Sequence, residues 1–516
     1  LNKKRLGFCL GILVLSACQA EVNNETTEMV WSPETAFVED GEHRVYYEIF
    51  VRAFADSDGD GIGDFPGATA KLDQLEQLGV EGIWLMPIHP SPSYHGYDVT
   101  DYEGVNPDYG TMEDMKTFVE EAQARGIEVI MDFVMNHSSK EHPWFQKALA
   151  GDSTYRDYYV WSDDSTPLQQ VGDWGQPIWH GLEEEKYEGV FWEGMPDLNF
   201  DNPAVMDEFK QASTFWLDEV GVDGFRVDAA KYLVSAYQID DHHAHNVELW
   251  QAFKAHMETV KPGSFLVGEV WDSASVVGQY MEALDSGFNF DLSTKLISAL
   301  QSERDTGIVS SLEKVRSYYQ QIEPNYQDSI FLTNHDMDRI MSEVNGNVDH
   351  AKMGASLMLT LPGNPFLYYG EEIGLEGQKP DEHIREPMIW TAGEDEAETS
   401  WIERRYSLEK ETLAVETQQK DDDSLWNHYQ ELISVRRSHA VLIDGEITQS
   451  DVQAQGLISF ERYMGEERVL VLHNVSGEEV TVEVDQLGEL YYSSKPINQG
   501  EDGVTLAPYS TGIYQK

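Results

Sequence analysis

The chain has 516 residues, 41% of them hydrophobic and 11% aromatic, which suits a folded protein of several domains and excludes a disordered one. Its 35 Lys and Arg stand against 93 Asp and Glu, a formal charge of −58. A surface this acidic repels nucleic acid and anionic lipid, so neither is expected as a partner, and it reads as adaptation to a salty medium in which self-repulsion is screened.

The N-terminus begins with the basic run Lys3-Lys4-Arg5, followed by an apolar stretch from Leu6 to Val14 and then Leu15-Ser16-Ala17-Cys18. The apolar stretch is too short to span a bilayer and reads as the core of a signal peptide over residues 1–17. Its end resembles the bacterial lipobox. That resemblance implies cleavage before Cys18, lipid on Cys18, and export to a cell-surface or outer-membrane position through this anchor alone, or release from it. Residues 18–39 are polar and read as a tether. The other cysteine, Cys9, lies in the leader, so the body has no disulfide framework and no thiolate metal site.

From residue 40 strand-like and helix-like stretches alternate. Strands are expected at His43 to Phe54, Gly82 to Pro87, Ile127 to Phe133, Gly224 to Val227, Phe265 to Gly268, Phe288 to Phe290, Ile330 to Thr333 and Pro365 to Tyr369. Helices are expected at Ala70 to Leu78, Thr111 to Arg125 and Ser424 to His439. Eight continuous apolar strands alternating with helices imply an α/β fold with a parallel sheet covered on both faces, a (β/α)8 TIM barrel over residues 40–137 and 196–440. Residues 138–195, rich in Trp, Tyr, Asp and Gly, show no such unit and read as an inserted domain after strand 3. Residues 441–516 carry short alternating strands, Leu457 to Tyr463, Arg468 to His473 and Val480 to Val484, around a turn at Gly465-Glu466, and read as a C-terminal antiparallel β domain.

The fourth strand ends in Arg226-Val227-Asp228. Alternation puts Arg226 and Asp228 on one side and Phe225 and Val227 on the other. A guanidinium beside a carboxylate keeps it ionised and aimed, which a covalent glycosidase mechanism needs, although the pair taken alone reads first as a structural ion pair. Polar residues also cluster at other strand ends: Asp132, Asn136 and His137; Glu269; Asn334, His335 and Asp336.

Five stretches together resemble the α-amylase family of glycoside hydrolases. They are Asp132-Phe133-Val134-Met135-Asn136-His137, Gly224 to Lys231, Gly268-Glu269-Val270-Trp271, Phe331 to Asp336, and Met195-Pro196-Asp197-Leu198-Asn199, all in the family's order. The resemblance implies that Asp228 is the nucleophile, Glu269 the general acid/base and Asp336 the carboxylate that stabilises the transition state. It implies that His137, Arg226 and His335 hold the reacting sugar, that Tyr97 of His95-Gly96-Tyr97-Asp98 stacks under it, with His95 beside that ring, and that Asp98 binds its hydroxyls. Lys231 is similar to a residue that contacts the next sugar, with Tyr232 where the family often has His. Ala229 is similar to members acting on α-1,4 bonds. Trp174, Trp179 and Trp192 are candidates either for stacking on further sugars or for the core of the inserted domain.

Carboxylates alternate through Asp56-Ser57-Asp58-Gly59-Asp60-Gly61-Ile62-Gly63-Asp64, and oxygen-only ligands suit a hard cation such as Ca²⁺. The run starts like an EF-hand loop but has Gly67 at the twelfth position. It resembles the calcium loop after the first barrel strand in bacterial relatives, which implies a structural Ca²⁺ held by Asp56, Asp58, Asp60, the Ile62 carbonyl and Asp64. Asn136 fits the family's more widespread calcium site. The function implied is retaining endo-hydrolysis of α-1,4 bonds in starch and maltooligosaccharides by a monomer. The alternatives are an α-glucosidase or 4-α-glucanotransferase on the same scaffold and, more remotely, a non-catalytic glucan-binding lipoprotein.

Overall fold

The computed structural model describes residues 29–39, 41–181, 185–484, 487–500 and 503–516. The leader and Cys18 lie outside the described residues. Among the described residues no helix is long and apolar enough to cross a membrane.

Three strands, β1 (Tyr46–Ile49), β2 (Gly82–Leu85) and β3 (Glu128–Phe133), precede the insertion, which holds the short pair β4 (Trp179–His180) and β5 (Tyr187–Glu188). Five more follow: β6 (Gly224–Val227), β7 (Phe265–Gly268), β8 (Ser286–Phe288), β9 (Gln327–Phe331) and β10 (Asn364–Tyr368). All strands but β4 and β5 pair in parallel and close as β1-β10-β9-β8-β7-β6-β3-β2, an eight-stranded barrel. Inward side chains Tyr46, Trp84, Ile130, Val267, Phe288, Phe331 and Phe366 fill its interior. Tyr46 stacks on Phe366 at 4.6 Å, and Trp84 lies 5.3 Å from Phe288. This aromatic plug dries the barrel beneath the C-terminal strand ends, so polar groups placed there interact at low dielectric.

The approach to β6 is shaped locally. The helix Pro203–Thr214 runs into a π-helical turn, Phe215–Val220, which stops at Gly221 in the left-handed region (φ 90°), a conformation that favours glycine. At Gly224 a Cβ would come within 2.0 Å of the Phe265 carbonyl, so β6 and β7 can approach only without a side chain there.

Several strand limits differ from expectation by one residue or more, three of them for a visible local reason. Phe50 leaves the first strand, and Val51–Phe54 forms a helical turn. The strand expected at Phe288 to Phe290 lies two residues earlier, because Asn289 caps the helix Phe290–Ser302 by accepting from the Leu292 amide at 3.0 Å. The strand expected at Ile330 to Thr333 ends at Phe331, ahead of a turn in which Asn334 Oδ1 accepts from the Asp336 amide at 3.0 Å.

The C-terminal strands are β11 (Glu446–Gln449), β12 (Leu457–Met464), β13 (Glu467–Asn474), β14 (Val480–Glu483), β15 (Glu489–Ser493), β16 (Asn498–Gln499), β17 (Gly503–Leu506) and β18 (Ser510–Gln515). They form two antiparallel sheets, β11-β12-β13-β18-β15 and β14-β17-β16. Buried Arg462 ties this domain to the barrel through the Thr360 carbonyl at 2.6 Å. The stretch read as a tether is not free over its described part. The Val30 and Trp31 amides donate to the Leu490 and Tyr491 carbonyls, and Trp31, 6% exposed, meets Tyr492 edge-on at 5.6 Å. Apolar Trp31 gains by burial what a polar linker would not.

Candidate active site

Strand β6 sends Phe225 outward onto Phe133 at 4.7 Å and Arg226 inward. The β3–β6 register sets Asp132 beside Arg226. Arg226 is 1% exposed, its guanidinium lies 5.1 Å above the Trp84 ring, and it serves three carboxylates. Nη1 donates to Asp132 Oδ1 at 3.0 Å and Asp228 Oδ1 at 2.7 Å, and Nη2 donates to Glu269 Oε2 at 2.7 Å. One cation cannot neutralise three anions. Burial pushes the Asp132 and Glu269 carboxyls above their ordinary range; Arg226 opposes this, but the Asp228 charge adds to both and the Asp336 charge to Glu269. Ala229 takes a left-handed conformation (φ 48°, ψ 41°), and its amide donates to Glu269 Oε2 at 3.2 Å. That strain costs about 1–2 kcal/mol and aims the carboxyl of a neighbouring strand.

Asp336 sits in the opposite electrostatic setting. Its Oδ2 lies 3.2 Å from His335 Nε2, and Arg385 Nη2 donates to Oδ1 at 3.2 Å. Burial alone would raise its pKa, but the His335 and Arg385 charges outweigh burial and hold it well below the usual carboxylate range. His335 Nδ1 meets Glu48 Oε1 at 2.5 Å. Burial opposes the imidazolium, yet the Asp336 and Glu48 carboxylates hold its pKa up to about 10. The Tyr97 hydroxyl accepts from His335 Nε2 at 2.6 Å and donates to Asp132 Oδ2 at 3.2 Å, linking the two halves of the site.

The remaining expected substrate residues gather around this centre. The Tyr97 ring lies near-parallel to the rings of His335, at 5.7 Å and 16°, and His95, at 6.0 Å and 28°. Burial pushes the His95 pKa down. Asp98 is buried and accepts from the hydroxyls of Ser91, at 2.6 Å, and Ser93. His137 Nε2 faces the Tyr97 carbonyl at 3.1 Å and Nδ1 faces Asn136 Oδ1 at 2.9 Å; burial lowers its pKa to about 4, and the neutral ring donates its one proton to one of these two acceptors. Lys231 Nζ is held by Asp272 at 2.9 Å and the Trp271 carbonyl at 3.0 Å. A cleft of about 320 Å³ opens beside Glu269, walled by Trp174, Phe191, Lys231, Tyr232 and Trp271. Of the three tryptophans of the insertion, Trp179 is buried in its core, Trp192 is exposed beside Lys140, and Trp174 faces the cleft.

In the acidic loop, carboxylate oxygens of Asp56, Asp58 and Asp64 lie within 4.8 Å of one another, and among the described residues no salt bridge reaches them. Asp60 is not part of this group. It is exposed, and its Oδ1 accepts from the Ile62 amide at 2.8 Å. Asp56 accepts from the Asp58, Gly59 and Gly61 amides and Asp64 caps the helix Phe65–Ala70, so the loop is shaped with lone pairs left for a cation. At the second expected calcium position, the Asn136 amide donates to the Tyr232 carbonyl, and its oxygen meets His137.

Glu48, Arg385 and Asp173 carried no expectation. Glu48 lies inside the stretch read as an ordinary strand, where a lone carboxylate in an aromatic run was the available signal. Arg385 and Asp173 sit in loops with no periodicity, and only the fold brings them to the site.

A family profile described as "Alpha amylase, catalytic domain" matches residues 48–445, and one described as "Alpha-amylase SusG C-terminal domain" matches residues 457–513. The chain is 40% identical over 478 residues to "Alpha-amylase 3" of Dictyoglomus thermophilum, covering 92% of this chain and 93% of that one. It is 36% identical over 474 residues to a "4-alpha-glucanotransferase" of Thermotoga maritima, covering 90% and 99%. The crystal structure of an alpha-amylase from H. orenii superposes with a TM-score of 0.86 at 42% identity, covering 92% of this chain and 99% of that one. The chain belongs to the alpha-amylase family of glycoside hydrolases.

Proposed function

We propose that the chain cuts internal α-1,4-glucosidic bonds of starch and maltooligosaccharides with retention of configuration. The observation that carries this reading is the single Arg226 guanidinium bridging Asp228 and Glu269 at 2.7 Å each, with Asp336 held ionised beside them. Asp228 attacks the anomeric carbon while protonated Glu269 gives its proton to the leaving oxygen. Water then attacks the glycosyl-enzyme and loses its proton to Glu269. Asp336 and its partners offset the charge of the oxocarbenium-like state. Tyr97 supports the sugar ring. The separate loads on the three carboxylates argue against a non-catalytic glucan-binding role.

A second reading, 4-α-glucanotransferase, is favoured by the tryptophan-walled cleft beside Glu269 and by the Thermotoga relative of that name. The time course of products from a graded maltooligosaccharide series separates the readings. Internal cleavage yields maltose and maltotriose early, glucose alone as first product points to an α-glucosidase, and products longer than the substrate point to transfer. Asp228→Asn should lower sugar release by about 10⁴-fold or more; release near the parent rate refutes the assignment.

The loop carboxylates Asp56, Asp58 and Asp64 suit a structural Ca²⁺, which would brace the connection after β1 and take no part in bond cleavage. We further propose export and a lipid anchor on Cys18, motivated by Leu15-Ser16-Ala17-Cys18. Cys18→Ala should move the enzyme from the membrane fraction to the soluble fraction, and an unchanged membrane fraction refutes the anchor.

A further inference from the structure

Asp173 lies in the inserted domain, in a turn closed by the bridge between Val171 and Pro177. Its carboxylate accepts from two tyrosines of the segment after β6: the Tyr232 hydroxyl reaches Oδ2 at 2.6 Å, and the Tyr237 hydroxyl reaches Oδ1 at 3.3 Å. This polar tie joins the insertion to the barrel at the edge of the cleft. The next residue, Trp174, is 65% exposed, and its ring lies 5.8 Å from Phe191 and 6.4 Å from Tyr232. Across the cleft Trp271, 52% exposed, is held flat on Phe290 at 4.4 Å and 6°. Exposed indoles cost solvation, so two braced at one opening mark a surface for a flat ring with apolar faces. Glu269 lines the same cleft. Because the acid protonates the leaving oxygen, the leaving sugar, and any sugar that later attacks, occupies this side.

We propose that Asp173 is a positioning residue: through Tyr232 and Tyr237 it holds Trp174 over the cleft and thereby sets how the glycosyl-enzyme divides between water and an incoming sugar. The inference rests on the retaining mechanism proposed above. In the dividing step the bond between C1 and the Asp228 oxygen breaks as a hydroxyl oxygen bonds to C1. That hydroxyl's proton passes to Glu269, and Asp228 leaves as the carboxylate. Water and sugar compete in this step, and only the sugar gains from an indole fixed over the cleft. With the tie cut, Trp174 must be ordered at the sugar's expense, and water takes a larger share.

The test uses the full chain with 4-nitrophenyl α-maltotrioside, alone and with increasing maltose. Nitrophenolate release reports formation of the glycosyl-enzyme; the ratio of elongated oligosaccharide to free maltotriose reports its division. Asp173→Ala should lower that ratio about tenfold and raise the maltose concentration for half-maximal transfer, with nitrophenolate release without maltose within about threefold of the parent. Asp173→Asn keeps an oxygen that accepts a tyrosine proton and should recover most of the ratio. Tyr232→Phe, which leaves the carboxylate in place, should lower the ratio as Asp173→Ala does and decides the matter if Asp173→Ala fails to fold. An unchanged ratio in Tyr232→Phe and Asp173→Ala overturns the inference, as does a parent that transfers nothing at saturating maltose. A parent whose newly formed reducing end is first released as the β anomer, read by NMR, overturns the retaining reading itself, which is seen before any variant is made.

Discussion

Glu269 shares its guanidinium with two other carboxylates, and that sharing governs when it carries a proton. Burial lifts its pKa against the pull of Arg226, and the neighbouring Asp228 and Asp336 charges lift it further. The acid form is the one that starts the reaction, so raising the pH removes the working proton. The alkaline limb of kcat/KM should lie above the ordinary carboxylate range, and Glu269→Gln should lose that limb together with about 10²–10⁴-fold in rate on unactivated glucans. A rate profile that falls off through the ordinary glutamate range would refute this environment. His335 and Asp336 act on stability with opposite signs. The raised His335 contributes stability that is complete below its unfolded value and lost as pH rises through about 10. The depressed Asp336 contributes stability present above its unfolded value and lost as pH falls toward its folded value. Asp228, Glu269, Asp336 and Arg226 were legible as motifs at strand ends. The sharing of Arg226 among three carboxylates was not, because Asp132 joins through barrel register; nor was the Arg385 contact to Asp336, made from a loop far along the chain.

Among elements, the loop after β1 couples the proposed metal to the barrel. Asp64 is at once a member of the carboxylate group and the cap of the helix Phe65–Ala70, and the Asp56 amide donates to the Ala397 carbonyl at 2.9 Å. A cation there would relieve repulsion among three carboxylates and fix two distant segments. Chelation should lower the Tm by about 2 °C or more, and Asp56→Ala should be insensitive to chelator. An unchanged Tm after complete metal removal rules the site out. Apolar runs bounded by turns located the eight barrel strands. Their limits were set instead by caps and Asx turns, Asn289 and Asn334 among them, which act over two or three residues and leave hydrophobic pattern unchanged. The insertion was recognisable only by what it lacked; its small sheet β4–β5 is two residues a side and too short to leave a period.

For the whole molecule, a net charge of −58 means that folding works against self-repulsion, which salt screens. We expect activity and Tm to hold or rise in about 2 M NaCl, where the Debye length is only about 2–3 Å; loss of activity above about 0.5 M, where screening is already nearly complete, refutes a salt-adapted surface. Charge was readable from composition, whereas the seating of Trp31 beside β15 was not, since scattered aromatics in a polar run carry no pattern. That seating has a consequence for presentation. The arm passes Arg437, whose carbonyl accepts from the Val38 amide at 2.8 Å, and enters β1 at its N-terminal end, while the three carboxylates stand at the C-terminal ends of the strands. An enzyme held through this arm would be gripped away from its mouth, and a large polymer would reach the open side unhindered by the arm.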